Sequence, residues 1–199
     1  MEWASLLPAA AVVAIAVFLV KEALEFFRRR DANVRKLRAL TALLARECEL
    51  NYWTIRSLRR IIQEIPSNDD PSTQRQVEIK RRSSGKPYAQ IVSHDGEFET
   101  HMNIPSVHRD LMSKFLLDIA TLDKNLFAVM EPAYDALAEV DHVRESLVNI
   151  EDGTAFLSQQ DWLAGFSGYA LDELQEAEVL LGKLYDYCTG QPLTKFRLR

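Results

Sequence analysis

The chain has 199 residues, 47% of them hydrophobic, a formal net charge of −5 and two cysteines. Its basic residues are concentrated between residues 21 and 60, whereas residues 61 to 199 carry an acidic excess. This distribution disfavours a nucleic-acid-binding domain, because Glu47 and Glu49 interrupt the basic segment and the acidic remainder would repel phosphate. The small number of cysteines fits a reducing compartment.

The opening stretch WASLLPAAAVVAIAVFLVKEALEFFRRR contains eighteen consecutive uncharged residues, from Trp3 to Val20. At about 1.5 Å per residue, a helix of that length covers roughly 27 Å, close to the hydrocarbon thickness of a bilayer. A secretion signal would begin with a positive segment, but only Met1 and Glu2 precede the run. A buried helix of a soluble protein is less favoured, because the run is apolar on every face. We therefore predict a single transmembrane anchor over residues 1 to 27.

The two ends of the run carry aromatic and basic residues of the types that favour membrane interfaces. The predicted interface residues are Trp3, Lys21, Phe26, Phe27, Arg28, Arg29 and Arg30. Because basic residues follow the run and are scarce before it, the positive-inside rule places the N-terminus outside and the rest of the chain in the cytoplasm. The same basic residues would attract anionic head groups, so membrane lipid is a predicted partner.

Residues 28 to 65 form a helical pattern with one apolar stripe, which also contains Asn51. Neither glycine nor proline occurs between Pro8 and Pro66, so we expect the anchor to continue into this helix. Asn51 is a candidate polar core residue that sets helix register, with a position at the edge of the stripe as the alternative. The following segment PSNDDPST, residues 66 to 73, predicts a turn or a linker.

A small antiparallel β-meander is predicted at residues 76 to 104. The stretch EFETHMNI at its end alternates polar and apolar residues, and QVEIKR and YAQIVS are two earlier strand candidates. SSGKP and HDG, which separate the three candidates, have the composition of turns.

After Pro105 a helical stripe continues through Pro132, so one kinked helix and two separate helices are both compatible with the sequence. Ser158 resembles the N-cap of a last helix, which Gly190 would end. The predicted fold class is mainly α. The anchor continues into a cytoplasmic antiparallel three- or four-helix bundle, residues 28 to 199, into which the β-meander is inserted.

The helix lengths favour an up, down, up course for the bundle. That course would return the 151 to 157 loop to the membrane and place Trp162 at the interface. The last helix would then end beside the meander, where LTKFRLR, residues 193 to 199, alternates as an added strand would. A frayed terminus is the alternative for this tail.

No catalytic or cofactor motif is present: GxGxxG, HExxH, CxxC and GxSxG are all missing, and SGKP at 84 to 87 lacks the features of a phosphate loop. We therefore predict no catalytic residue, no cofactor and no small-molecule substrate. Cys48 and Cys188 lie on apolar stripes and are predicted to be core residues. A weak metal or acid/base candidate is the corner containing His101 and His108 with Glu97, Glu99 and Asp110, for which an exposed polar face is the favoured explanation.

These features predict a membrane-anchored interaction or scaffold protein that presents its cytoplasmic domain to a protein partner or to a second copy. Pairing of the long first helix as a coiled coil would be one route to self-association. The alternative is an oligomerising, toxin- or defence-like effector that perturbs the bilayer. An enzyme built on the His101 and His108 corner is the third hypothesis.

Overall fold

The computed structural model describes residues 9–65, 75–93, 99–149 and 159–194. The chain divides into two compact units, Met1–Leu40 and Thr41–Arg199. It is mainly helical with a small antiparallel sheet, as predicted. The elements in chain order are α1 (Ala9–Gln63), β1 (Arg75–Arg81), β2 (Pro87–Ser93), β3 (Glu99–Asn103), α2 (Asp110–Leu122), α3 (Lys124–Val148) and α4 (Gln159–Thr189).

Residues 9 to 27 of the predicted anchor form the beginning of α1. Within the described residues, no helix combines the length and the apolar composition needed to cross a membrane. The uncharged run on which the single-span prediction depends begins at Trp3, outside those residues.

The second unit contains a helical core of buried apolar side chains. Because the apolar stripes of its helices face one another, their largest side chains are completely buried, and each contributes about 1.5–3 kcal/mol relative to an exposed position. The largest fully buried side chains include Leu44, Ile55, Leu58, Ile62, Met112, Ile119, Leu126, Met130, Leu137, Leu147 and Leu174.

The predicted β-meander is confirmed as a three-stranded antiparallel sheet in the order β1-β2-β3. Ile79 pairs with Ala89 and Ile91 with Thr100, which fixes the register of both ladders. Ile79, Ala89 and Ile91 are buried, whereas His101 on the opposite face is exposed. Gly85 has φ +77° and donates to the Arg82 carbonyl at 2.8 Å, so the predicted SSGKP turn closes the first hairpin.

The helix after Pro105 is divided, but at Asp123 rather than at Pro132. Asp123 has an extended backbone, φ −152° and ψ 100°, and its carboxylate accepts hydrogen bonds from the N–H groups of Asn125 and Leu126. An aspartate in this position satisfies the free donors that begin a helix, so α3 starts immediately after it. Pro132 lies inside α3, where buried Met130 and Ala133 hold the helix against the core on either side of the proline.

Contacts between α1 and α4 define their relative direction. Arg59 forms an ion pair with Glu178 at 2.5 Å, and the Tyr185 hydroxyl donates to Glu49 at 3.2 Å. A later residue of α1 thus meets an earlier residue of α4, so these two helices are antiparallel.

The same relationship holds between α3 and α4. The Tyr169 hydroxyl lies 3.3 Å from Glu139, and the Tyr187 hydroxyl lies 3.2 Å from Asp123. Tyr187 therefore places the end of α4 beside the turn between α2 and α3.

The second unit is consequently an up, down, up, down arrangement, and the predicted up, down, up course was wrong. The reversal at Asp123 adds one change of direction and inverts α4, whose last turns lie at the opposite end of the bundle from the sheet.

Several predicted features lie outside the described residues, namely the 151–157 loop, the side chain of Trp162 and residues 195–199 of the tail. Of the predicted tail strand, Leu193 and Thr194 are described, and they are not in a strand. The described residues also do not include Trp3, the 66–73 turn, the HDG turn or Ser158.

Candidate functional surfaces

Three buried polar side chains stand on one side of α1 in the second unit. Glu47, Asn51 and Thr54 are 2%, 0% and 0% exposed. Their spacing of four and three residues places them on one helical face. Because buried polar groups are costly unless they are hydrogen-bonded, such a row needs partners on another element. We call these three residues the polar clamp.

Asn51 and Thr54 bind the segment that connects β3 to α2. The Asn51 amide nitrogen donates to the His108 carbonyl at 2.6 Å, and its amide oxygen accepts from the His108 N–H at 2.9 Å. The Thr54 hydroxyl lies 3.0 Å from the Ser106 carbonyl oxygen. These side chains supply hydrogen bonds that a neighbouring strand would otherwise provide, so a segment without regular secondary structure is held against the bundle.

Glu47 binds the beginning of α2. Its two carboxylate oxygens accept hydrogen bonds from the N–H groups of Leu111 and Met112, each at 2.9 Å. Arg109 occupies the N-cap position and makes no capping hydrogen bond with its side chain. The Glu47 carboxylate on α1 therefore caps the N-terminus of α2 in place of an N-cap side chain. Its negative charge at that end also interacts favourably with the helix dipole.

The pKa of Glu47 is raised above its usual value, and burial is the main cause. The carboxylate of Asp110 raises it further, whereas the hydrogen bonds from Leu111 and Met112 lower it. Desolvation thus outweighs the two hydrogen bonds, and the clamp holds a carboxylate that binds its proton more tightly than an exposed glutamate does.

The predicted histidine corner resolves into two different environments. His101 lies on the exposed face of β3, with its Nε2 atom 2.9 Å from Glu99 and its ring edge-on to Tyr88. The backbone N–H and carbonyl groups of His108 bind the side chain of Asn51 in the polar clamp. Residues 9–65, 75–93, 99–149 and 159–194 contain no group of three or more His, Cys, Asp or Glu side chains that could hold a metal ion. Glu97 lies outside those ranges.

Both thiols have the character of core residues. Cys48 is buried and Cys188 is partly buried. Burial raises the pKa of Cys188 to about 12 and the pKa of Cys48 well above its usual value. The thiolate is the reactive form of cysteine, and a raised pKa leaves little of it at neutral pH. Neither side chain is therefore activated as a nucleophile.

In the first unit, α1 exposes an unusually apolar surface. Side chains between Val12 and Phe27 lie more than half exposed although they are large and hydrophobic, and at about 100° per residue they point to every side of the helix. We call this surface the apolar sleeve. Its exposed residues are Val12, Val13, Ile15, Val17, Phe18, Leu19, Val20, Leu24, Phe26 and Phe27.

The predicted interface residues that the structure describes are exposed around the end of the sleeve. The rings of Phe26 and Phe27 meet edge to face, with centroids 5.9 Å apart. Lys21 and the three arginines at 28–30 are exposed, and Arg29 forms an ion pair with Glu25 at 2.6 Å. Apolar, aromatic and basic side chains thus follow one another along this part of α1.

Comparison with known proteins found no matching family model, no matching curated protein and no matching solved structure.

Sequence reasoning recognised Asn51 of the clamp but missed Glu47 and Thr54. The signal was present, because the three polar residues share the spacing of the apolar stripe around them. A glutamate in such a stripe is usually at its exposed edge, however, and its partners Leu111 and Met112 are more than sixty residues away in the chain.

Proposed function

We propose that this protein is a membrane-anchored helical interaction protein. In this proposal residues 1 to 27 anchor the chain as a single span with the N-terminus outside, and the sleeve residues after Val20 lie at the membrane interface. The helical unit is presented in the cytoplasm to a protein partner or to a second copy. The observation that carries the proposal is the exposure of large apolar side chains on every side of α1 between Val12 and Phe27.

A bilayer suits this surface better than a protein groove does. A partner helix or groove covers one stripe of a helix, and residues on the opposite side remain in water. Val13 and Phe18 point in different directions, yet they are 62% and 59% exposed. Lipid would cover all these faces together, and the uncharged run from Trp3 to Val20 supplies the length of roughly 27 Å that a span requires.

The second unit offers surfaces suited to protein interaction. Leu117 on α2 is 81% exposed, and Tyr169, Val179 and Tyr187 on α4 are each more than 40% exposed. Tyrosine and the other aromatic residues are enriched at protein interfaces, and exposed Leu and Val side chains beside them add apolar area. The acidic side chains around Glu173, which include Glu139 and Glu176, would favour a basic partner.

The membrane part of the proposal is tested by expressing the full-length chain and extracting membranes with alkaline carbonate. The native protein should remain in the pellet. Val12→Glu places a charge near the middle of the proposed span and should release most of the protein, because a charge at that depth costs about 2.5–3.5 kcal/mol. Val179→Glu, which adds the same charge at an exposed position of α4, is the matched control and should remain in the pellet. Release of the native protein would contradict the proposal.

The interaction part is tested on the full-length protein solubilised in mild detergent. Mass determination should give a defined dimer or a stoichiometric complex with a co-purified protein. A strictly monomeric protein that retains nothing would contradict an interaction role. Loss of membrane potential on expression, abolished by Val12→Glu, would instead favour the bilayer-perturbing effector.

A further inference from the structure

The end of the apolar sleeve forms a shallow groove in which apolar and basic side chains are combined. Val17, Val20 and Leu24 line one part of it, and the rest holds the cations Lys21 and Arg28 beside the ion pair of Glu25 with Arg29. Steps of three and four residues separate positions 17, 21, 24 and 28, so they lie on one face of the helix. An acyl chain beside a negatively charged head group would match this arrangement, with its chain on the valines and leucine and its phosphate on the cations.

The charges around the groove are not balanced within the helix. Arg29 is neutralised by Glu25 at 2.6 Å. Within the described part of the chain, Arg28 and Arg30 are exposed and make no ion pair. Three basic residues and one acidic residue, Asp31, occupy positions 28 to 31. This segment therefore carries a local positive potential in a protein whose overall charge is −5.

We propose that this surface selects anionic phospholipids, with Arg28 in the groove and Arg30 on another side of the same helical turn binding their phosphate groups. The inference rests on the proposed function, because it requires the sleeve to lie in a bilayer. It adds a lipid preference that a purely apolar anchor would not have. Nucleic acid also offers phosphate, but it has no counterpart for the exposed valine and leucine side chains beside Lys21 and Arg28.

The test is lipid selection by the full-length protein. The protein is solubilised in a neutral detergent, equilibrated with equal amounts of phosphatidylglycerol and phosphatidylcholine, and analysed by native mass spectrometry for the lipids that it retains. The native protein should retain phosphatidylglycerol in excess. Arg28→Gln with Arg30→Gln should lower that excess by an order of magnitude or more, because each basic group near an anionic surface changes the affinity about fivefold.

The matched control is Arg81→Gln with Lys86→Gln, which removes two exposed charges from the first hairpin of the sheet. This variant should keep the native preference, and raising the salt concentration should weaken the preference of the native protein. Equal retention of the two lipids by the native protein would overturn the inference while leaving the anchor intact. Retention of neither lipid would overturn both the inference and the proposed function. A preference that survives the arginine substitutions would overturn the role of Arg28 and Arg30.

Discussion

The carboxylate of Glu47 on α1 accepts a hydrogen bond from the backbone N–H of Met112 at 2.9 Å. Its second oxygen accepts from Leu111 at the same distance, so a side chain of the first helix closes the N-terminus of the second. Asn51 and Thr54 extend this connection along the segment that leads to α2. The start of α2 therefore depends on tertiary contact, and its stability should be sensitive to residues on α1.

Replacing Glu47 with alanine should destabilise the second unit by about 2–4 kcal/mol. The substitution leaves two buried N–H groups at the start of α2 without acceptors, and each such loss costs about 1–3 kcal/mol. Urea unfolding of the full-length protein in mild detergent, followed by circular dichroism, measures the free energy of unfolding. Glu131→Gln, at an exposed position of α3, is the control and should change that free energy by less than about 0.5 kcal/mol. Equal stability of the two variants would mean that the hydrogen bonds of Glu47 to Leu111 and Met112 contribute nothing.

The contribution of Glu47 should also depend on pH. Its pKa is raised in the folded protein, so the folded protein binds this proton more tightly than the unfolded chain, where glutamate titrates near about 4.3. Proton binding by Glu47 therefore stabilises the folded protein. This stabilisation is fully present below the pKa that Glu47 has in the unfolded chain, and it is lost as the pH rises through the pKa that Glu47 has in the folded protein. The unfolding free energy of the native protein, relative to that of Glu47→Gln, should therefore increase as the pH falls from about 7 towards 4.5. If this difference in unfolding free energy instead decreases as the pH falls, the hydrogen bonds from Leu111 and Met112 outweigh the effect of burial on the pKa of Glu47.

The hydroxyl group of Thr54 can be tested separately from its shape. Thr54→Val keeps the volume but removes the bond to the Ser106 carbonyl, and it should lower the free energy of unfolding by about 1 kcal/mol. Thr54→Ser retains the hydroxyl group and should preserve the hydrogen bond, while losing one buried methyl group. Hydrogen exchange of the amides that follow Ser106 should be faster in the valine variant than in the serine variant. Equal exchange in the two variants would argue against the bond.

Asp123 should affect both α3 and the hydroxyl group of Tyr187. Asp123→Ala removes the cap of α3 and should cost about 1–2 kcal/mol of unfolding free energy. The pKa of Tyr187 is raised, first by burial and then by the Asp123 charge and hydrogen bond. Asp123→Asn removes that charge, so the pKa of Tyr187 should fall. Absorbance titration at alkaline pH, with Tyr187→Phe to assign the signal, measures the change, and an unaltered tyrosine titration would contradict the contact.

The two thiols should be unreactive in the folded protein. Burial raises the pKa of Cys188 to about 12 and that of Cys48 well above its usual value, so very little thiolate is present at pH 8. A disulfide reagent such as Ellman's reagent should label both cysteines rapidly in denaturant and neither rapidly without it. Fast labelling of the native protein, lost in Cys188→Ser, would show that α4 opens near its end.

Local patterns were sufficient to predict much of the fold. The alternation in EFETHMNI predicts the exposed positions Glu99, His101 and Asn103, because successive side chains of a strand point to opposite faces. The stripe of α1 likewise offers Asn51 a core position, with the edge of the stripe as the alternative, since residues three and four apart share a helical face, and the structure buries the residue. Both predictions depend only on the geometry of a single element.

The sequence by itself determined the helical and strand periods and the apolar character of the sleeve, because these properties follow from neighbouring residues. Only the tertiary structure decided that the chain reverses at Asp123, that α4 therefore ends away from the sheet, and that Glu47 caps α2. The stripe continues in phase across Asp123, so periodicity does not reveal the reversal. The acceptors for the first N–H groups of α2 come from a residue 64 positions earlier, and that pairing exists only after the helices have packed.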